Sequence, residues 1–424
     1  MAATRRFVLG MAGAAAALGT IGRPALAQGA AGKVVVIGAG FGGATTARYL
    51  RRANAALDVT VVEREERFIT CPFSNCVIAG FRHMEQITHG FDGLRKAGVN
   101  VVKGEAAGVD PAARTVTLGD GSRLSWDRLV LSPGIDLNFT GLPGYSEAAA
   151  EMMPHAWKPG AQTLLLRRQL EAMPDGGTFI VCPPANPFRC PPGPYERVSV
   201  VAWYFRNNKP KSKILVFDAK DSFSKQGLFQ AAWESEFPGM ITWVAGRDGG
   251  KVESVDAGAM AVTTAFGVQK GAVVNVIPPQ RAGAIAHAAG VAAENGWCPV
   301  NPATFASTRV PGVYVVGDAA IAGAMPKSGS AANTQGKVVA AAIVDSLAGR
   351  SPAPPALFNV CYSLVTPDYG ISVADVYQVN EKGITPTPDA GGVSVRTPTA
   401  LNERKLEADY TYNWYTNITA DIWG

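Results

Sequence analysis

Short, unbroken apolar runs alternate with helix-like stretches over most of the chain, the pattern of strands buried on both faces of a parallel sheet. Lys33-Val34-Val35-Val36-Ile37 predicts a first strand, the stretch to about Arg52 a helix, and Asp58-Val59-Thr60-Val61-Val62-Glu63 a second strand. Further strands are expected at Asp127–Gly134, Thr178–Cys182, Lys213–Asp218 and Gly312–Ala319, with a helix over Ala331–Leu347. Repeated βαβ layout makes the fold class α/β, with two Rossmann-like domains of the dinucleotide-binding type. A chain of 424 residues has room for about three domains at roughly 150 residues each.

The turn after the first strand reads Gly38-Ala39-Gly40-Phe41-Gly42-Gly43, a G-x-G-x-x-G. Gly38 permits a tight turn, Gly40 lets the backbone approach a pyrophosphate, and Gly43 lets helix and strand pack closely. Glu63, about twenty residues on, can accept hydrogen bonds from a ribose. The equivalent turn of the second βαβ unit carries Pro183-Pro184-Ala185-Asn186-Pro187-Phe188-Arg189-Cys190-Pro191-Pro192-Gly193-Pro194 instead. Prolines lack the N–H groups that would cradle a phosphate, so the second domain is not expected to bind NAD(P)H.

Composition narrows the function classes. Hydrophobic residues at 47% and charged residues at 17% exclude a disordered chain, and a formal charge of +5 is too mild to argue for nucleic acid. Among the six cysteines and four histidines there is no CxxCH, paired CxxC or HExxH, so no metal site and no haem of its own is expected. Thr4-Arg5-Arg6, an Ala/Gly-rich apolar stretch and Ala25-Leu26-Ala27 make residues 1–27 resemble a cleaved twin-arginine export signal. The mature chain would then be periplasmic, without a membrane span.

Gly317-Asp318 after the Gly312–Val316 run resembles the second nucleotide motif of the glutathione reductase-like flavoproteins, in which the Asp holds the FAD ribityl chain. That resemblance implies a FAD domain split in sequence. The expected boundaries are 32–144 and 281–350 for the FAD domain, 145–280 for the second Rossmann-like domain, and 351–424 for a C-terminal α+β interface domain. Cys71-Pro72-Phe73-Ser74-Asn75-Cys76 has C-x4-C spacing, but lacks the Gly-Gly-Thr and Val-Pro-Lys flanks of a redox disulfide at that place.

The segments PFRCPPGPYER, IPPQRAG, GWCPV, MPKSGSAANTQGK, CYS and YGISVADVY together resemble the flavoprotein subunit of flavocytochrome c sulfide dehydrogenase. The resemblance implies FAD carried covalently by Cys71, a redox-active disulfide between Cys190 and Cys361, sulfide as substrate, and a c-type cytochrome subunit as heterodimer partner holding the haem. Around that chemistry, Lys327 is a candidate for positive charge near the reduced flavin. Glu196 is a candidate for moving protons, or alternatively an ion-pair partner of Arg197. Which cysteine sulfide attacks stays open, as do the roles of Cys76, Cys182 and Cys298. A sulfide:quinone oxidoreductase and a non-catalytic auxiliary of sulfur oxidation are the competing readings. The C-terminal aromatics Tyr410, Tyr412, Trp414, Tyr415 and Trp423 suit either an interface or a core.

Overall fold

The computed structural model describes residues 32–397 and 402–424; the export segment at 1–27 lies outside the described residues. Along the chain, the elements that build the site begin with β1 (Lys33–Ile37), α1 (Phe41–Ala53), β2 (Asp58–Glu63), α2 (Ser74–Ala79), β3 (Asn100–Lys103) and β4 (Arg128–Leu131). The middle of the chain adds β5 (Thr178–Cys182), α3 (Gly193–Asn208), β6 (Lys213–Phe217), α4 (Gln226–Glu236), β7 (Ile241–Val244) and β8 (Val273–Val276). The remainder contributes β9 (Val313–Val315), α5 (Gly329–Leu347), β10 (Leu357–Thr366), β11 (Tyr369–Asn380), β12 (Gly383–Val393) and α6 (Glu403–Trp423). Among the described residues no helix is long and apolar enough to cross a membrane.

The first sheet is parallel throughout, in the order β9-β4-β1-β2-β3. Its edge strand β9 arrives from beyond the middle domain and pairs Val313–Val315 with Leu129–Leu131. The uniform apolar runs follow from this placement: Val34, Val36, Val61, Leu129 and Val130 are covered on both faces, each worth about 1.5–3 kcal/mol of burial. The middle sheet, β7-β6-β5-β8, is again parallel. The last unit is an antiparallel sheet, β10-β11-β12, with α6 packed against it.

The far end of α6 is fastened to the first domain. Asp421 accepts from Tyr49 Oη at 2.7 Å and Asn333 Nδ2 at 3.0 Å, and pairs with Lys337 Nζ at 2.8 Å. Trp423 stacks on Phe68 and His89, meets Phe41 edge-on, and donates from Nε1 to the Ala39 carbonyl at 3.0 Å. The brace on the glycine-rich turn therefore comes from the opposite end of the chain.

In the middle domain the crevice above β5 and β6 is filled from within. Asp218, fully buried just after β6, accepts from Tyr195 Oη, from Trp243 Nε1 at 3.0 Å and from Lys220 Nζ at 2.6 Å. Lys220 also donates to the Pro184 carbonyl at 2.8 Å, and Tyr195 stacks on Phe223. The acid that would face a ribose is thus spent on internal partners. Asp218→Ala leaves a buried ammonium unpaired and is expected to cost about 3–5 kcal/mol, read as a lowered urea midpoint; an unchanged midpoint would show that the cluster carries no stability.

Candidate active site

A cavity of about 940 Å³ opens where the three units meet, within the usual range of roughly 300–1,000 Å³ for ligand pockets. One end is formed by the glycine-rich turn. Gly38 has φ +95, and a Cβ at Gly43 would stand 1.9 Å from the Gly38 carbonyl oxygen, so both positions require glycine. At Gly40 a Cβ would press on the Phe68 ring at 3.2 Å, narrowing the approach to the N-terminus of α1. Glu63 lines this end, with its carboxylate accepting from Ala39 N at 2.8 Å and Glu65 N at 3.1 Å. Two such bonds leave acceptor capacity for a sugar hydroxyl.

Beside that turn stand Gly317, Asp318 and the start of α5, where Gly329 packs on the ring of Phe41 at the start of α1. Gly317 N is held by Gln335 Oε1 at 2.8 Å, and burial pushes the Asp318 carboxyl up. Ser328 caps α5 by accepting from Ala331 N at 3.0 Å. Two helix N-termini, α1 and α5, therefore meet the cavity and favour negative charge there. A cavity lined by a phosphate turn and, beside it, a buried acid near a second helix start fits FAD.

Cys71, Cys190 and Cys361 all lie in the cavity wall. Cys71 precedes α2. Cys190 sits in the proline-rich loop at φ +57, with its N–H on the Lys327 carbonyl at 2.7 Å. Cys361 lies within β10. All six cysteines are free thiols in this structure. A hydrogen bond from Cys190 draws the Cys71 thiol down to about 7, against burial and with help from the Arg189 and Arg197 charges. The same contact, with burial and the Glu196 charge, pushes the Cys190 thiol well up. Cys76, Cys182 and Cys298 are buried outside the wall, and burial raises each thiol, Cys298 to about 12.

Glu196 also faces the cavity. It accepts from Asn75 Nδ2 at 2.8 Å and Leu364 N at 3.0 Å, and burial pushes its carboxyl up, which suits it to hold and release a proton. It does not pair with Arg197. That guanidinium, fully buried, donates to Asn75 Oδ1, Asn275 Oδ1 and the carbonyls of His155 and Ala156. Asn75 stands between the two charges with its oxygen to one and its nitrogen to the other.

Lys327 bonds to the wall residues Asp318 and Cys190 without lining the cavity itself. Its ammonium donates to the carbonyls of Asp318 at 2.7 Å and Ala320 at 2.9 Å and lies 3.8 Å from the Trp297 ring centroid, outside the cavity wall. The cations in the wall are Arg64, Arg67, Lys158 and Arg189, none of which stands out in the sequence as a site residue. Asn75 and Lys225 are likewise unmarked in the sequence, because their partners lie more than a hundred residues away. Trp414, by contrast, does reach the wall, next to Tyr362.

Three family models match in succession. Residues 32–162 match the pyridine nucleotide-disulphide oxidoreductases, 163–278 the central part of the sulfide dehydrogenase [flavocytochrome c] flavoprotein chain, and 353–423 the flavin-binding part of flavocytochrome c sulphide dehydrogenase. The sulfide dehydrogenase [flavocytochrome c] flavoprotein chain of Chlorobaculum thiosulfatiphilum is 58% identical over 45 residues, 11% of this chain and 94% of that sequence. Mouse mitochondrial sulfide:quinone oxidoreductase is 24% identical over 195 residues, 43% of this chain and 41% of that protein. Among solved structures, the Aquifex aeolicus sulfide:quinone oxidoreductase superposes with a TM-score of 0.73 at 18% identity, covering 92% of both chains. Cavity, cysteines and sequence matches agree: the chain belongs to the flavoprotein chains of flavocytochrome c sulfide dehydrogenase, a family of flavin-dependent oxidoreductases.

Proposed function

We propose that this chain oxidises sulfide to sulfur or polysulfide in the periplasm and passes the electrons to a c-type cytochrome subunit. The observation that carries this reading is the meeting of Cys71, Cys190 and Cys361 in the wall of one cavity that also bears the phosphate turn. Bound there, FAD would supply a two-electron acceptor able to release electrons singly. Gly38, Gly40 and Glu63 would hold its adenosine end, Gly317 and Asp318 its ribityl end, and Cys71 would anchor it through a thioether.

Oxidised, Cys190 and Cys361 form the disulfide that takes sulfide. Hydrosulfide is already a strong nucleophile near neutral pH and needs an electrophile more than a base. Its attack on one sulfur makes a persulfide and releases the other as a thiolate. Glu196 accepts the proton that the new persulfide loses, and Arg189 supplies positive charge to the wall. The deciding experiment is co-purification from the native periplasm. A c-type cytochrome that accompanies the chain and is reduced on adding sulfide is the expected result. Reduction of a quinone but not of the cytochrome would move the assignment to a sulfide:quinone oxidoreductase, and reduction of neither to an auxiliary flavoprotein.

Cys71→Ala is expected to leave FAD extractable by acid. In the unmodified apo chain, covalent attachment should quicken as pH rises through about 7, where Cys71 becomes thiolate. FAD that stays bound after acid treatment of the variant would place the anchor elsewhere.

A further inference from the structure

The two sulfurs of the proposed disulfide sit in unlike surroundings. The Asn359 amide meets Cys361 Sγ with Nδ2 at 3.4 Å and with Oδ1 at 3.5 Å, and Ser328 Oγ donates to the same Oδ1 at 2.6 Å, so a Cys361 thiolate, with no proton to give, is left with Nδ2 as its donor. Ser328 is in turn fixed as the cap of α5. Below, Lys225 is buried at φ +61, in the left-handed region, where a β-carbon is disfavoured. Its ammonium donates to the Cys361 carbonyl at 2.8 Å and to Ser363 Oγ at 2.9 Å. Among the described residues its hydrogen-bond partners are that carbonyl and that hydroxyl rather than a carboxylate, and Cys361, Glu196 and Cys190 are the first charges it senses. A buried cation without a bonded acid is costly unless negative charge comes to it during turnover.

Cys190 also senses the Lys225 and Arg197 charges, but its sulfur meets the Cys71 thiol rather than an amide. It precedes α3, and a helix start ordinarily favours a thiolate. Here Pro191, Pro192 and Pro194 have no N–H, and the Gly193 N–H is spent on the Cys190 carbonyl at 2.8 Å. Glu196 adds like charge.

We propose that the pair is polarised: sulfide attacks Cys190, and Cys361 leaves as the thiolate, stabilised by the Asn359 amide and the Lys225 ammonium. This rests on the proposed function. The Cys190–Cys361 S–S bond breaks as the Cys190 Sγ–SH bond forms, and the bonding electron pair departs on Cys361 Sγ. The incoming sulfur is oxidised and the disulfide reduced. Asn359 touches a reacting atom; Lys225 acts as a positioning residue through charge.

The test uses the intact flavin-loaded protein under anaerobic conditions. One equivalent of sulfide, rapid acid quench, alkylation and peptide mass analysis should find the extra sulfur on Cys190. Extra sulfur on Cys361 overturns the assignment. Extra sulfur on neither, with the flavin still oxidised, overturns the proposed function and this assignment with it. In the dithionite-reduced protein, Cys361 faces Lys225, Cys190 and Tyr377. Lys225→Met should slow iodoacetamide labelling of Cys361 at pH 7 by about tenfold, with Lys225→Arg restoring it. Asn359→Asp, which keeps the acceptor for Ser328, should slow labelling similarly if Lys225→Met does not fold. Unchanged Cys361 labelling in a folded variant of either kind overturns the proposal.

Discussion

Cys361→Ser protein should keep its FAD and lose sulfide-dependent flavin reduction by a factor on the order of 10³ or more. The anchor proposed for FAD, Cys71, precedes α2, whereas Cys361 belongs to β10, so the two functions separate on the chain. Serine preserves the size of the side chain but cannot form the disulfide, which removes the electrophile and leaves the cavity intact. Cys190→Ser should behave alike. The measurement is stopped-flow bleaching of the flavin by sulfide beside the ratio of covalent flavin to protein. Sulfide turnover at the normal rate in either serine variant sinks the disulfide mechanism, whatever the partner.

A second large effect is expected at Gly43. An added methyl would lie 1.9 Å from the Gly38 oxygen and 3.0 Å from Ser132 Cβ, and backbone cannot step aside as a side chain can. Helix α1 must lift off β1, at a cost near the upper end of overpacking penalties, about 3 kcal/mol. Gly43→Ala should therefore emerge with little flavin and a lowered melting temperature. Gly40→Ala, whose methyl meets only the movable Phe68 ring, should fold and bind flavin more weakly. A Gly43→Ala protein with full flavin and an unchanged melt would contradict the close approach of helix and strand.

Local rules make part of this architecture legible in the amino-acid sequence. Lys33–Ile37, Asp58–Glu63 and Thr178–Cys182 are strands with the expected limits because a parallel core strand is apolar along its whole length. The glycine turn is readable because its chemistry is local. The direction of the Lys327 side chain is not legible, because a position beside the second nucleotide motif does not fix where a long side chain points, and two carbonyls and an indole take its ammonium. Lys225 carries no local mark that separates it from a surface cation. Only the approach of the α4 start to β10 buries it, across a separation no periodicity encodes. The Glu196–Arg197 neighbourhood is hidden for a similar reason. Adjacent residues on a helix point apart, and Asn75 from another element decides what each one meets.

The hold of Trp423 on the Ala39 carbonyl has a consequence for biosynthesis. Synthesis proceeds from the amino end, so the glycine turn leaves the ribosome well before its brace, which arrives with α6. The cradle for the cofactor's phosphates can be completed only after translation has reached α6. Nascent fragments ending before α6 should therefore emerge without tightly held flavin.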